Sequence, residues 1–288
     1  MTPEAPPLQS PPVADVLLNR PGEACGVFGI HAPGADVARL AYFGLFALQH
    51  RGQESAGIAV SDTETMTVYK DLGLVAQVFD EATLAGLRGD IAIGHTRYST
   101  TGSSVWANAQ PTYRQVGQNG IALAHNGNLT NTRDLADRVG KLFATTDSEL
   151  MTEAIAQDMH KNEANLVEAL SAVLPTFEGA FTLAVMDRTT LVGVRDRYGF
   201  RPLSVGKLGD GWVLASESAA FDIMGATFFR DVEPGEMVVI DERGITSVRP
   251  FEASPARWCL FEFVYFARPD SLIAGQNIHA ARRHMGEA

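Results

Sequence analysis

Cys25 stands at the mouth of a short apolar stretch, within the run Cys25-Gly26-Val27-Phe28-Gly29-Ile30. A thiol needs a base before it can attack a carbonyl carbon. Cleavage between Ala24 and Cys25 supplies one, because it frees an α-amine on the residue that carries the thiol. Three other positions hold complementary chemistry. Arg97 offers a planar fork matched to a carboxylate. Asn126-Gly127 offers a side-chain amide beside a backbone N–H that glycine leaves unobstructed, a pair able to hold an oxyanion. Asp147 offers a carboxylate for an ammonium group. Each also has a plainer reading: a small buried thiol, a surface ion pair, a hairpin turn and an acid favoured by a helix macrodipole. Taken together, they are what is needed to grip a free amino acid and attack its side-chain amide.

The elements that must position these groups are legible from apolar spacing. Val37, Leu40, Ala41, Leu45 and Leu48 recur at helical intervals, so residues 36–49 read as an amphipathic helix, stopped by a left-handed Gly52. Ala56 to Val60 and Met66 to Lys70 read as a hairpin across Asp62 to Thr65. Ile91 to His95 and Ile121 to His125 are two more strands, each running into a polar cluster that carries one of the candidate groups. Thr146-Asp147-Ser148-Glu149 fits a capping box opening a helix to about His160, and a second helix is expected near Asn165 to Leu174. From Gly179 the pattern turns to strands at Phe181 to Met186, Leu191 to Val194, Leu203 to Val205, Trp212 to Ala215 and Met237 to Ile240. Strands, then helices, then strands again imply sheets covered by helical layers, an α+β architecture. Beyond Pro250 the pattern is less regular and completes no obvious second domain. His50, His95 and His125 lack metal-ligand spacing and read as packed or hydrogen-bonded histidines.

Composition limits what the chain can do. Its 288 residues, 45% of them hydrophobic, can form one dominant folded domain. A net charge of -11 with no basic stripe argues against nucleic acid, and the longest apolar run, Leu40 to Leu48, is too short for a bilayer. The two cysteines, Cys25 and Cys259, form no disulfide framework and fit a reducing cytosol, so a cytoplasmic location is expected. Residues 1–24 carry six prolines (Pro3, Pro6, Pro7, Pro11, Pro12 and Pro21) and lack the marks of a signal or transit peptide. They read as a disordered propeptide.

Five ordered motifs resemble those of the class II glutamine amidotransferases: the Cys25 run, Leu48-Gln49-His50-Arg51-Gly52-Gln53-Glu54-Ser55, Gly94-His95-Thr96-Arg97-Tyr98-Ser99-Thr100, His125-Asn126-Gly127-Asn128-Leu129 and Thr146-Asp147-Ser148-Glu149. Within that class, Arg201-Pro202-Leu203, Ala215-Ser216-Glu217-Ser218 and Tyr265-Phe266-Ala267-Arg268-Pro269-Asp270-Ser271 are similar to the amidophosphoribosyltransferase family. The resemblance implies an N-terminal-nucleophile fold, an αββα sandwich of two mainly antiparallel sheets between helical layers. It implies Cys25 as nucleophile, Asn126 and Gly127 as oxyanion hole, and Arg97 and Asp147 as grips on the α-carboxylate and α-amine of glutamine. Tyr98, Thr100 and Arg51 would line the site.

On this resemblance, residues 25–250 form the glutaminase domain and residues 251–288 begin a connection to a phosphoribosyltransferase domain. That domain carries an acidic, Gly/Thr-rich loop for phosphoribosyl diphosphate, and no such loop occurs before Ala288. The chain is therefore expected to be a fragment or truncated form, competent for glutamine hydrolysis alone. Mg2+, a possible 4Fe-4S cluster and homo-oligomer formation are implied for full-length members. Cys259 matches a cluster-ligand position, but with its partner ligands missing it is expected to be a buried free thiol, and no cofactor is expected in this chain. Two alternatives remain: another class II enzyme, such as a glucosamine-phosphate synthase or free-standing amidase, and an uncleaved, non-enzymatic regulatory module.

Overall fold

The computed structural model describes residues 25–98, 104–140, 145–252 and 254–287. In chain order the main strands are β1 (Gly26–His31), β2 (Ser55–Ser61), β3 (Met66–Leu72), β4 (Ile91–Arg97), β5 (Thr112–Val116), β6 (Asn119–Leu129), β7 (Gly179–Met186), β8 (Leu191–Arg195), β9 (Ser204–Leu208), β10 (Gly211–Ala215), β11 (Thr227–Asp231), β12 (Met237–Asp241) and β13 (Gly244–Val248). They form a seven-stranded sheet in the order β11-β9-β10-β1-β4-β2-β3 and a six-stranded sheet in the order β13-β12-β8-β7-β6-β5. The neighbouring strands in both sheets pair antiparallel.

Alternation of side chains along each strand builds three apolar layers. Phe28 and Ile30 of β1 pack with Val37, Ala41 and Leu45 of helix α1 (Val37–Ala47) on the outer face of the larger sheet. Val27, Ile91, Ile93, Ala122, Ala124 and Leu214 fill the space between the sheets. Leu123, Leu183 and Val185 pack outward on helices whose buried members include Met151, Ile155 and Leu170. The architecture is thus the expected α+β sandwich.

The helices have local reasons to start where they do. Asp36 caps α1 by accepting the N–H of Arg39 at 3.2 Å. Short helical turns follow at α2 (Val75–Val78) and α3 (Glu81–Gly86), and α4 (Thr132–Val139) leads into α5 (Asp147–Asn162). Thr146 caps α5 by accepting from Glu149 N–H, and Glu163 closes it in the left-handed conformation. In α6 (Leu166–Val173), Asn165 and Glu168 cap each other reciprocally, both bonds at 3.0 Å.

Several expectations are corrected. Gly52 is extended at φ -159° and supplies no left-handed stop; a three-residue turn, Gln49–Arg51, closes the segment instead. Glycine is needed there because a Cβ would lie 2.6 Å from the backbone of Thr96 and Arg97. Asn126-Gly127 is not a turn after the strand, because β6 runs on to Leu129, with Asn126 opposite Thr182 and Gly127 opposite Phe181. The chain beyond Pro250 is more ordered than its pattern suggests. It contains a π-helical turn at Glu262–Phe266, a small hairpin of β14 (Leu272–Ile273) with β15 (Gln276–Asn277), and a helix α8 (Ile278–Glu287), after the short α7 (Ala219–Asp222) earlier in the chain. Residues 1–24, read as a propeptide, lie outside the described residues, as does Thr100.

Candidate active site

Strand register brings Cys25 and Arg97 to the same end of the larger sheet. Gly26 pairs with Thr96 and Val27 with His95 across β1 and β4, so Cys25 and Arg97 continue the same alignment. Val27 faces the space between the sheets, and two-residue alternation turns Cys25 to that side as well. Strand β1 is pinned from its other neighbour: Val27 N–H donates to Ser216 Oγ at 2.9 Å, and Ser216 N–H returns to Val27 O at 2.9 Å.

The Cys25 thiol is half-buried and donates to the carbonyl of Tyr98 at 3.4 Å. Burial pushes its pKa up and Asp147 adds to the rise, against the nearby charges of Arg97 and Arg51. A thiol held this way stays protonated near neutral pH and needs a base to react. Arg97 is buried, and its Nη1 lies 3.4 Å from Glu54 Oε2.

The two sheets are tied together beside this point. His95 Nε2 meets the carbonyl of His125 at 2.9 Å, linking β4 to β6 two residues before Arg97 and one before Asn126. A carbonyl can only accept, so His95 carries its proton on Nε2 and leaves Nδ1 as an acceptor. Burial lowers the His95 pKa to about 3, keeping the ring neutral. Asn126 follows on the inter-sheet face that Ala122 and Ala124 share. Its side chain is 1% exposed, and Nδ2 has no hydrogen-bond partner among the described residues. An amide donor buried without an acceptor is costly, and such a group calls for a functional account. Gly127 has φ +150°, and a Cβ there would lie 2.0 Å from the Ala180 carbonyl oxygen, so no other residue fits.

Asp147 enters from the first turn of α5. Its Oδ2 accepts the N–H of Leu129 at 3.0 Å, and its Oδ1 accepts Ser148 N–H at 2.9 Å with His125 Nδ1 3.6 Å away. Burial works to raise its pKa, but His125 and these N–H groups outweigh it and hold the carboxyl below its ordinary range.

Arg51 does more than line the site. It is buried, its Nε donates to the Cys25 carbonyl at 3.2 Å, and its fork is committed to Glu217 and Glu262. The structure therefore gathers Cys25, Arg97, Tyr98, Arg51, Asn126, Gly127 and Asp147 around one end of the inter-sheet layer. Sequence reasoning missed His95 as a strut between sheets and Glu217 and Glu262 as anchors. Glu217 sat within a recognised motif, whereas Glu262 gave no signal among its aromatic neighbours. His50, His95 and His125 are hydrogen-bonded as expected. An open cleft of about 540 Å³ lined by Lys70, Trp106, Tyr113, Arg114 and Glu149 is separate from the thiol and does not include Cys25.

A half-buried thiol with Arg97, Arg51 and Asp147 nearby, and an amide donor without a partner among the described residues, thus lie at one end of an antiparallel αββα sandwich. Residues 95–222 match the family described as "Glutamine amidotransferase domain". The chain is 54% identical over 279 residues to the amidophosphoribosyltransferase of Mycobacterium tuberculosis, covering 93% of this chain and 52% of that protein. It is 41% identical over 270 residues to that of Bacillus subtilis, covering 92% and 56%. The solved glutamine phosphoribosylpyrophosphate amidotransferase from B. subtilis, complexed with ADP and GMP, superposes with a TM-score of 0.85 at 40% identity, over 91% of this chain and 57% of that one. Along its length the chain is similar to amidophosphoribosyltransferases, and it spans about half the length of the curated relatives it matches.

Proposed function

We propose that this domain hydrolyses glutamine to glutamate and ammonia, and that the ammonia serves phosphoribosylamine formation from phosphoribosyl diphosphate in purine synthesis. The observation that carries this reading is the buried Nδ2 of Asn126, without a partner among the described residues, beside the strut that joins its strand to that of Arg97. Arg97 receives the α-carboxylate of glutamine and Asp147 its α-amine; Tyr98 borders the bound substrate. Cleavage before Cys25 frees an α-amine whose pKa of about 7.7–8.0 suits transfer of the thiol proton near neutral pH. Thiolate attack then forms a tetrahedral oxyanion held by Asn126 Nδ2 and Gly127 N–H. The α-amine returns the proton to the leaving ammonia, and water hydrolyses the thioester.

The donors present do not fit a 4Fe-4S cluster, which takes four thiolates, since the chain holds Cys25 and Cys259 alone. Cys259 instead lies 3.7 Å from the guanidinium of Arg201. Mg2+ and phosphoribosyl diphosphate belong, in this reading, to the further length that the relatives possess, as does assembly into a homo-oligomer. Among the described residues no helix is long and apolar enough to cross a membrane; the cytoplasmic location in this reading rests instead on the free thiols Cys25 and Cys259.

The test uses the chain starting at Cys25 and the chain with residues 1–24 locked on by a cleavage-resistant Ala24 substitution, each verified by mass spectrometry. The first should release glutamate and ammonia from glutamine and the second should not, because an amide nitrogen is not basic. Neither should release pyrophosphate from phosphoribosyl diphosphate and Mg2+. Equal glutamine turnover by both forms would rule out the α-amine as base.

A further inference from the structure

The nucleophile is held from a place outside the two sheets. Thirteen residues separate the end of β13 at Val248 from Glu262. Glu262 opens a π-helical turn in which Ala267 N–H reaches back to the Glu262 carbonyl at 3.1 Å. Such widened turns re-aim side chains and recur at functional sites. Here the turn directs a carboxylate that is only 2% exposed onto Arg51. Its Oε1 accepts Nη2 at 2.8 Å and its Oε2 accepts Nη1 at 3.0 Å, a two-pronged match.

Other donors of Arg51 are also engaged. Nη1 donates to Glu217, and Nε donates to the backbone carbonyl of Cys25 at 3.2 Å. Glu217 is in turn fastened to the same distal segment, accepting Arg268 N–H at 2.8 Å and Ser271 Oγ–H at 2.7 Å. Arg201 Nη1 stands 3.4 Å from Glu262 Oε1, so two guanidinium groups face two carboxylates and the buried cluster is charge-balanced. Besides its charge, which acts to lower the Cys25 pKa, Arg51 thus holds the Cys25 backbone through a direct hydrogen bond.

We propose that Glu262 is a positioning residue for the nucleophile: through Arg51 it fixes the Cys25 carbonyl and thereby the line along which the thiol approaches the substrate amide. Its kinetic consequence rests on the glutaminase reading, whereas its effect on the backbone does not. A displacement of about 1 Å at a reacting group is enough to lose about 100-fold in rate.

The experiment compares the wild-type chain with Glu262→Gln and Glu262→Asp, each checked for cooperative thermal unfolding. Glu262→Gln keeps one acceptor oxygen and removes the two-pronged grip. It should lower kcat for glutamine about 10- to 100-fold with KM within about twofold. The rate at which iodoacetamide alkylates Cys25, read on the Cys25 peptide by mass spectrometry, should stay within about twofold, because a small freely diffusing reagent needs no fixed approach. Backbone amides of residues 26–29 should lose hydrogen–deuterium exchange protection. Glu262→Asp should recover part of the kcat. An unchanged kcat in folded Glu262→Gln, or a rise in KM that accounts for the whole loss, overturns the proposal. If the wild-type chain turns over no glutamine, the glutaminase reading fails instead. Exchange at residues 26–29 then decides the positioning role alone, and unchanged protection overturns it.

Discussion

Asp147 Oδ2 accepts the backbone N–H of Leu129 at 3.0 Å, so the carboxylate proposed to hold the substrate ammonium also fastens the start of α5 to the strand that carries Asn126. The two duties can be separated. Asp147→Asn keeps a carbonyl oxygen for Leu129 but loses the charge. It should raise KM for glutamine at least about tenfold, in line with loss of a charge-assisted contact, while thermal stability changes little. Asp147→Ala should also leave buried N–H groups unsatisfied, costing about 1–3 kcal/mol in denaturant unfolding. A KM unaffected by Asp147→Asn would place the ammonium elsewhere.

Asn126→Ala tests the oxyanion hole. Because Nδ2 makes no hydrogen bond among the described residues, its removal should leave stability nearly unchanged. The rate should suffer: losing one such donor costs about 10²- to 10³-fold in kcat. A stability loss with kcat intact would show that the amide is structural.

For Gly127 the expectation is the reverse. Gly127→Ala puts a methyl group 2.0 Å from the Ala180 carbonyl oxygen, on a backbone already at φ +150°. Either strand β6 or its partner β7 must move. The cost should be about 3 kcal/mol, seen as a lower urea midpoint. An unchanged midpoint would mean that the pairing of β6 with β7 is looser than its register indicates.

His95 gives a pH dependence. Its pKa is lowered by burial to about 3, while in the unfolded chain it should titrate near 6.5. Below pH 6.5 the unfolded state therefore binds a proton that the native state refuses. Stability from His95 is complete above that pH and falls as the pH drops toward 3. Glu217 behaves similarly at lower pH: burial works against its ionisation, but Arg51 and His50 more than compensate and hold its pKa down. Denaturant midpoints measured from pH 7.5 to 4.5 should fall more steeply for wild type than for His95→Gln. Identical slopes would exclude His95 as a source of acid sensitivity.

Much of this was legible in the sequence, and the failures share a cause. β1, β4, β7, β8 and α5 announce themselves through apolar period or caps. Cys25, Arg97 and Asp147 fall at strand or helix ends and Asn126 within β6, and the structure brings them to one end of the layer between the sheets. β5, β11 and β13 were missed because they lie at or beside sheet edges and carry residues such as Arg114, Arg230 and Ser247 that dilute the apolar signal. Gly52 was misread because its constraint comes from the approach of Thr96 and Arg97, not from its own turn. The anchors of Arg51 could not be read locally at all: Glu217 and Glu262 lie 166 and 211 residues away.

Those separations set an order in time. Cys25 is made well before the residues that hold it: Val27 is pinned by a serine 189 residues later, and Arg51 must wait for a carboxylate 211 residues beyond it. At about 5–20 residues per second, the thiol exists for on the order of tens of seconds before its surroundings can be completed. Long-range pairings of this kind also form slowly, because loop closure must precede contact. The thiol thus precedes by a wide margin the residues that complete its surroundings.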